Sequence, residues 1–137
     1  MSSDWMREIT LTINGEERVL AIRRSEMLLD ALRRAGYISI KNGCKTGDCG
    51  ACTVLVNGEP VHSCMTPAFK AEGLEVVTLE ALSRGDQLHP IQQAFLDVGA
   101  VQCGYCTPAM VLVTKALLDR NPAPTEAEIR EALSGVL

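Results

Sequence analysis

Asn42-Gly43-Cys44-Lys45-Thr46-Gly47-Asp48-Cys49-Gly50-Ala51-Cys52 sets three cysteines and three glycines in eleven residues that carry no apolar periodicity. A helix needs apolar residues recurring every three or four positions and a strand needs alternation. This stretch is therefore expected to be an irregular loop whose order comes from something it binds. Its cysteines follow a C-x4-C-x2-C spacing, and Cys64 stands alone twelve residues beyond the last of them. Cys103 and Cys106 form a separate C-x2-C far downstream.

The loop lies between two regular regions. On its N-terminal side Arg7 to Ile13 alternates apolar and polar residues, Asn14-Gly15 supplies a tight turn, and Arg18 to Ile22 alternates again, which predicts a β-hairpin. Ser25 is read as the N-cap of a helix over Met27 to Ala35 ended by Gly36, with Leu28, Ala31, Leu32 and Ala35 on one face. On the C-terminal side Thr53 to Val56 reads as a buried strand, Asn57-Gly58 as a second tight turn, Pro60 to His62 as a short return strand and Glu75 to Leu79 as a closing strand. A small mixed sheet packed on one helix is an α+β pattern.

The pattern changes near Arg84-Gly85-Asp86. Pro90 to Val98 places Ile91, Ala94, Phe95 and Val98 on a helical face. Thr107, with Pro108 in the first turn, is read as the cap of a helix to about Asp119, and Thr125 with Glu128 makes a capping box for a third helix through Leu133, ended by Gly135. Two units are expected, residues 1–82 and residues 86–137, the second all-helical and too thin to cover its own apolar face. Tyr105, Phe95, Val111, Leu112, Leu117 and Leu118 are read as its core.

Composition narrows the function classes. Six cysteines in 137 residues fall below the roughly 8–10% of a disulfide framework, so metal ligation is the better reading. The N-terminus shows no secretory h-region, and the chain is expected to be cytoplasmic, where thiols stay reduced. No apolar run approaches the roughly 18–20 residues of a membrane span. A net charge of −4, with Arg23-Arg24 and Arg33-Arg34 the only basic pairs, offers no footprint for nucleic acid.

The C-x4-C-x2-C run with a distant fourth cysteine is the spacing of a plant-type [2Fe–2S] site, which points to Cys44, Cys49, Cys52 and Cys64 as ligands. Two irons and two sulfides need four thiolates around one small rhomb, and Gly43, Gly47 and Gly50 are expected to let the backbone turn through positive φ and bring its N–H groups to the sulfurs. A structural zinc site also takes four cysteines but favours paired knuckles at two separate places. His62 is read as a strand residue, because a Rieske-type site needs two histidines, and His89 as the residue that starts a helix. Cys103-Gly104-Tyr105-Cys106 alone leaves three readings open: a redox pair, half of a metal site, or two buried thiols.

The run from Asn42 to Val54, His62-Ser63-Cys64 and Gln102-Cys103-Gly104-Tyr105-Cys106-Thr107-Pro108-Ala109-Met110 together resemble the iron–sulfur subunit of the molybdenum hydroxylases, the xanthine oxidase family. That resemblance implies an N-terminal β-grasp, ferredoxin-like domain carrying one cluster and a C-terminal helical bundle carrying a second. It implies that Cys103 and Cys106 are ligands of the second cluster and that Gln102 hydrogen-bonds near a pterin. A molybdopterin-bearing large subunit and an FAD-bearing medium subunit are the implied partners, the chain passing electrons from the first toward the second. The family continues after its Leu-Ser-Gly segment with two more cysteines and a fourth helix, whereas this sequence reads Ser134-Gly135-Val136-Leu137. The second site is therefore expected to be incomplete within these residues, through truncation or disorder of the last segment rather than as a variant that lacks the cluster, because Cys103, Cys106 and the helix leading onward are intact. The alternative reading is a free-standing ferredoxin-like carrier.

Overall fold

The computed structural model describes residues 5–137, so the first four residues of the expected 1–82 unit lie outside the described residues. Two hairpins come first: β1 (Met6–Ile13) with β2 (Glu16–Arg23), and, after helix α1 (Leu28–Arg34) and the cysteine loop, β3 (Thr53–Val56) with β4 (Glu59–His62). The third unit of the sheet, β5 (Glu75–Val77), slots between the hairpins, parallel to β1 and antiparallel to β3, giving the order β2-β1-β5-β3-β4. Both hairpin turns place an asparagine at positive φ, Asn14 and Asn57, and the two side chains grip the ends of β5, Asn14 at the residue just after it and Asn57 at its first residue. The Asn14 side chain donates to the Thr78 hydroxyl and accepts from the Thr78 N–H, each at 2.8 Å, while Asn57 Oδ1 accepts from the Glu75 N–H at 3.0 Å.

Alternation sends Ile9, Leu11 and Ile13 of β1 and Leu20 and Ile22 of β2 to one face, where Leu28, Leu29 and Leu32 of α1 cover them. Burial of each of these side chains contributes roughly 1.5–3 kcal/mol, Leu20 least since it keeps 8% of its surface exposed. Ser25 does not cap α1. Met27 is the N-cap, the Leu28 N–H donates to the Thr66 carbonyl at 2.8 Å, and the Ala68 N–H donates to the Glu26 carbonyl at 2.9 Å. A strand-like bridge to residues 66–68 thus satisfies an orphan helix donor that a serine side chain would otherwise serve.

The second half contains α2 (Pro90–Asp97), α3 (Thr107–Arg120) and α4 (Glu126–Leu133). Two starts follow the sequence: His89 caps α2, its Nδ1 accepting from the Ile91 N–H, and the Thr125–Glu128 capping box is present. Thr107 is not a cap but the first residue of α3, with Cys106 at the N-cap. Gly135 does not end α4 in the left-handed conformation; its place is against the cysteine loop, as described below.

The apolar face of α3 is covered within the chain. Val111, Leu112 and Ala116 form a cluster with Leu55 of β3 and Leu82, so the helical unit lies against the sheet surface opposite α1. Ile91 and Phe95 of α2 pack on this cluster, but Ala94 is exposed and Val98 is 77% exposed. Among the described residues, no helix is long and apolar enough to cross a membrane.

Candidate metal centre

Between Gly36 and β3 the chain makes no helix or strand, as the glycine- and cysteine-rich sequence requires. The six cysteines are free thiols. Cys44 is exposed and Cys49 half-buried, while Cys52 and Cys64 lie inside the main core.

Backbone donors converge on the loop's sulfurs. Cys44 Sγ accepts from the N–H groups of Thr46, Asp48 and Cys49 at 3.4, 3.3 and 3.3 Å. Cys49 Sγ accepts from Cys44 and Ala51, each at 3.5 Å, and Cys52 Sγ from the Cys64 N–H at 3.5 Å. The cysteines therefore fall into two facing pairs, Cys44 with Cys49 and Cys52 with Cys64. Among the described residues, no three His, Cys, Asp or Glu side chains gather as ligands of a single ion do. Two pairs of thiolates suit a two-iron rhomb, in which each iron takes two.

The electrostatics differ between the pairs. The Cys49 N–H, the Thr46 hydroxyl, and the N–H groups of Thr46 and Asp48 hold the Cys44 thiol down at about 6. Burial, followed by the neighbouring Cys52 sulfur, pushes Cys64 up to about 11. Aimed N–H dipoles stabilise a thiolate where they converge, and desolvation opposes one where they do not.

The glycines act differently from expectation. Gly47 and Gly50 take positive φ, but Gly43 does not; the third left-handed residue of the loop is Lys45. What Gly43 supplies is space, since a Cβ there would stand 2.6 Å from Cys49 Sγ. The C-terminal segment closes over the loop: the Leu137 N–H donates to the Cys49 carbonyl at 2.8 Å, and Val136 is buried. Nothing in the sequence signalled this contact.

His62 is half-buried at the end of β4, consistent with a packing role. Gln102 and Cys103 are exposed on the loop before α3, and Cys106 packs on Ala109, Val113 and Val136. Tyr105 is not core: it is 47% exposed, and its hydroxyl donates to the Asn42 carbonyl at 2.7 Å. The two cysteine loops thus meet, although the structure does not gather their six thiols into one site.

Comparison with known proteins matches residues 11–81 to a 2Fe-2S iron-sulfur cluster binding domain and residues 78–137 to a [2Fe-2S] binding domain. The chain is 49% identical over 130 residues to the nicotinate dehydrogenase small FeS subunit of Eubacterium barkeri, covering 94% of this chain and 83% of that one. It is 45% identical over 131 residues to the xanthine dehydrogenase iron-sulfur-binding subunit of Escherichia coli O157:H7, covering 94% and 82%. The solved structure of quinoline 2-oxidoreductase from Pseudomonas putida 86 superposes with a TM-score of 0.94 at 42% identity, covering 97% of this chain and 83% of that chain. Aldehyde oxidoreductase from Desulfovibrio desulfuricans ATCC 27774 superposes with a TM-score of 0.91 at 39% identity, covering 96% of this chain but only 15% of that much longer one.

Fold and matches together define an iron–sulfur protein of two consecutive domains, a ferredoxin-like β-grasp followed by a helical unit. The chain belongs to the iron–sulfur subunits of the molybdenum hydroxylases. It is the electron-transfer part of a molybdenum-dependent oxidoreductase, and the free-standing carrier reading is set aside because the relatives are named as subunits matched across both halves.

Proposed function

We propose that Cys44, Cys49, Cys52 and Cys64 hold one [2Fe–2S] cluster and that Cys103 and Cys106 supply ligands to a second. The observation that carries the first assignment is the convergence of backbone N–H groups on Cys44 and Cys49, with Gly43 leaving room beside Cys49 Sγ. N–H donors toward ligating sulfur favour the reduced, more negative cluster and so set its potential. Bound there, the cluster supplies one-electron storage; the protein supplies position and field. Because Cys64 sits at about 11, ligation at that position releases a proton.

In the same reading, residues 1–82 and 86–137 are the two cluster domains. Exposed Gln102, beside Cys103, faces the pterin of a molybdopterin-bearing large subunit. Electrons pass from that subunit through this chain toward FAD on a medium subunit, in the cytoplasm. The family membership and the exposure of the second cysteine loop support it.

The test is the purified complex. Co-purifying chains are identified, their molybdenum and flavin measured, and iron, sulfide and electron paramagnetic resonance signals compared for wild type, Cys49→Ser and Cys103→Ser. Loss of one signal in each variant, a different one in each, is expected. An unchanged visible spectrum and iron content in Cys49→Ser would refute the ligand assignment.

A further inference from the structure

We propose that Lys45 tunes the first cluster: its ammonium, fixed by Asp30 and carried one residue along from Cys44, raises the reduction potential. This rests on the reading of Cys44, Cys49, Cys52 and Cys64 as the four ligands. Among the described residues, three other than glycine take positive φ, and two of them, Asn14 and Asn57, are asparagines in hairpin turns. Asparagine visits the left-handed region readily. Lysine does not, and glycine enters it without strain. The turn at Lys45, φ 56°, leads into the Thr46, Asp48 and Cys49 N–H groups that converge on Cys44 Sγ. Glycine would serve that turn better, so the reason for a lysine lies in its side chain.

That side chain donates to Asp30 Oδ1 at 3.1 Å, and Asp30 lies in the first turn of α1, where the helix favours a carboxylate. The pair is a poor staple. Its two side chains are 49% and 46% exposed, and an ion pair in water adds little stability. What it does is keep a positive charge, on a long flexible stem, from swinging away from a metal ligand. Between residues 42 and 52 Lys45 is the one cation, and the one anion, Asp48, accepts from the Thr46 hydroxyl. Lys41, just before the loop, is turned to the Tyr105 ring, 6.0 Å from its centroid. Reduction adds one negative charge to a [2Fe–2S] cluster, and a nearby cation stabilises that state more than the oxidised one. Removing the ammonium also leaves Asp30 uncompensated, which acts in the same direction.

The experiment uses the complete enzyme complex as wild type, Cys49→Ser, Lys45→Arg, Lys45→Met and Lys45→Gly. Cys49→Ser identifies the resonance signal of this cluster by its loss; if no signal is lost, the ligand reading fails and this inference falls with it. Dithionite titration with redox mediators, followed on that signal, then gives the potential of each Lys45 variant beside its iron content. All three are expected to keep their iron. Lys45→Arg is expected to hold the wild-type potential, while Lys45→Met and Lys45→Gly drop below it by equal amounts, although only Lys45→Gly relieves the backbone. Added salt is expected to narrow the gap, because the charge is half exposed. A wild-type potential in Lys45→Met overturns the proposal, as does a drop in Lys45→Arg equal to that in Lys45→Met. A drop confined to Lys45→Gly also overturns it, since the effect would then belong to the backbone turn.

Discussion

The carbonyl oxygen of Gly135 occupies the place where a side chain on Gly50 would have to stand: a Cβ on Gly50 would lie 1.9 Å from it. A residue of the metal loop and one beyond α4 are thus packed backbone on backbone. Gly50→Ala is expected to lose on the order of 2–3 kcal/mol, from a strained positive φ plus a clash with atoms that cannot swing away. Gly58 has similar φ, +81° against +72°, but open space around it. Gly58→Ala should therefore lose only about 1 kcal/mol. Urea unfolding of both variants separates crowding from backbone strain, and equal losses would refute the close approach as its cause.

A second prediction addresses the seam between the sheet and the helical unit. Leu55 of β3 and Leu112 of α3 are 3% and 1% exposed in one cluster. Either substitution to alanine is expected to lose about 2–5 kcal/mol. Because both empty the same region, the double variant should depart from the sum by roughly 0.5–3 kcal/mol. Additive losses in a denaturant titration would mean the two side chains do not share a cavity.

The acid limb of the stability curve tests Glu80. Burial pushes its carboxyl up, but the Ser39 hydroxyl, the Glu80 and Ser39 N–H groups and the Thr78 hydroxyl outweigh it and hold it below the ordinary 4.5. A carboxylate depressed in the folded state stabilises fully above its unfolded value, and that stability is lost as pH falls through the folded one. Glu80→Gln should therefore be less stable than wild type at neutral pH and approach it progressively below 4.5. Urea midpoints measured from pH 7 down to pH 3 give the comparison; a gap that persists undiminished at pH 3 would contradict the linkage.

Stripping the metal tests the field around the loop. In the metal-free protein Cys44, held at about 6, is expected to be the first thiol alkylated at neutral pH, with half-maximal rate near that value. Cys64, at about 11, should remain protonated and slow. Thr46→Val, which removes the side-chain donor, should move the Cys44 midpoint upward. Iodoacetamide labelling with peptide mass spectrometry reads each site.

Much of this was written locally. Alternation and the Asn14-Gly15 and Asn57-Gly58 turns specify both hairpins, and the Thr125–Glu128 box specifies a helix start, because each depends on neighbours within a few residues. The helix starts that misled were set from a distance: Thr66 serves α1 in place of Ser25, and Cys106 precedes α3 where Thr107 was expected. Composition also announced the metal loop, since only a ligand orders so many glycines and cysteines. It was silent on Tyr105, whose aromatic side chain suggested core but whose hydroxyl found a carbonyl 63 positions away, and on Leu137, whose N–H reaches Cys49.

The placement of β5 bears on how the metal is installed. Every cysteine of the proposed first site precedes residue 75 in the chain, yet the sheet is joined only when Glu75–Val77 enters between β1 and β3. Each hairpin is a local structure that forms early, while the three-residue strand that unites them makes long-range pairings. As the chain leaves the ribosome, Cys44, Cys49 and Cys52 emerge between two unjoined hairpins and Cys64 just after the second. A cluster installed before β5 enters would therefore meet Cys52 and Cys64 before the core closes over them.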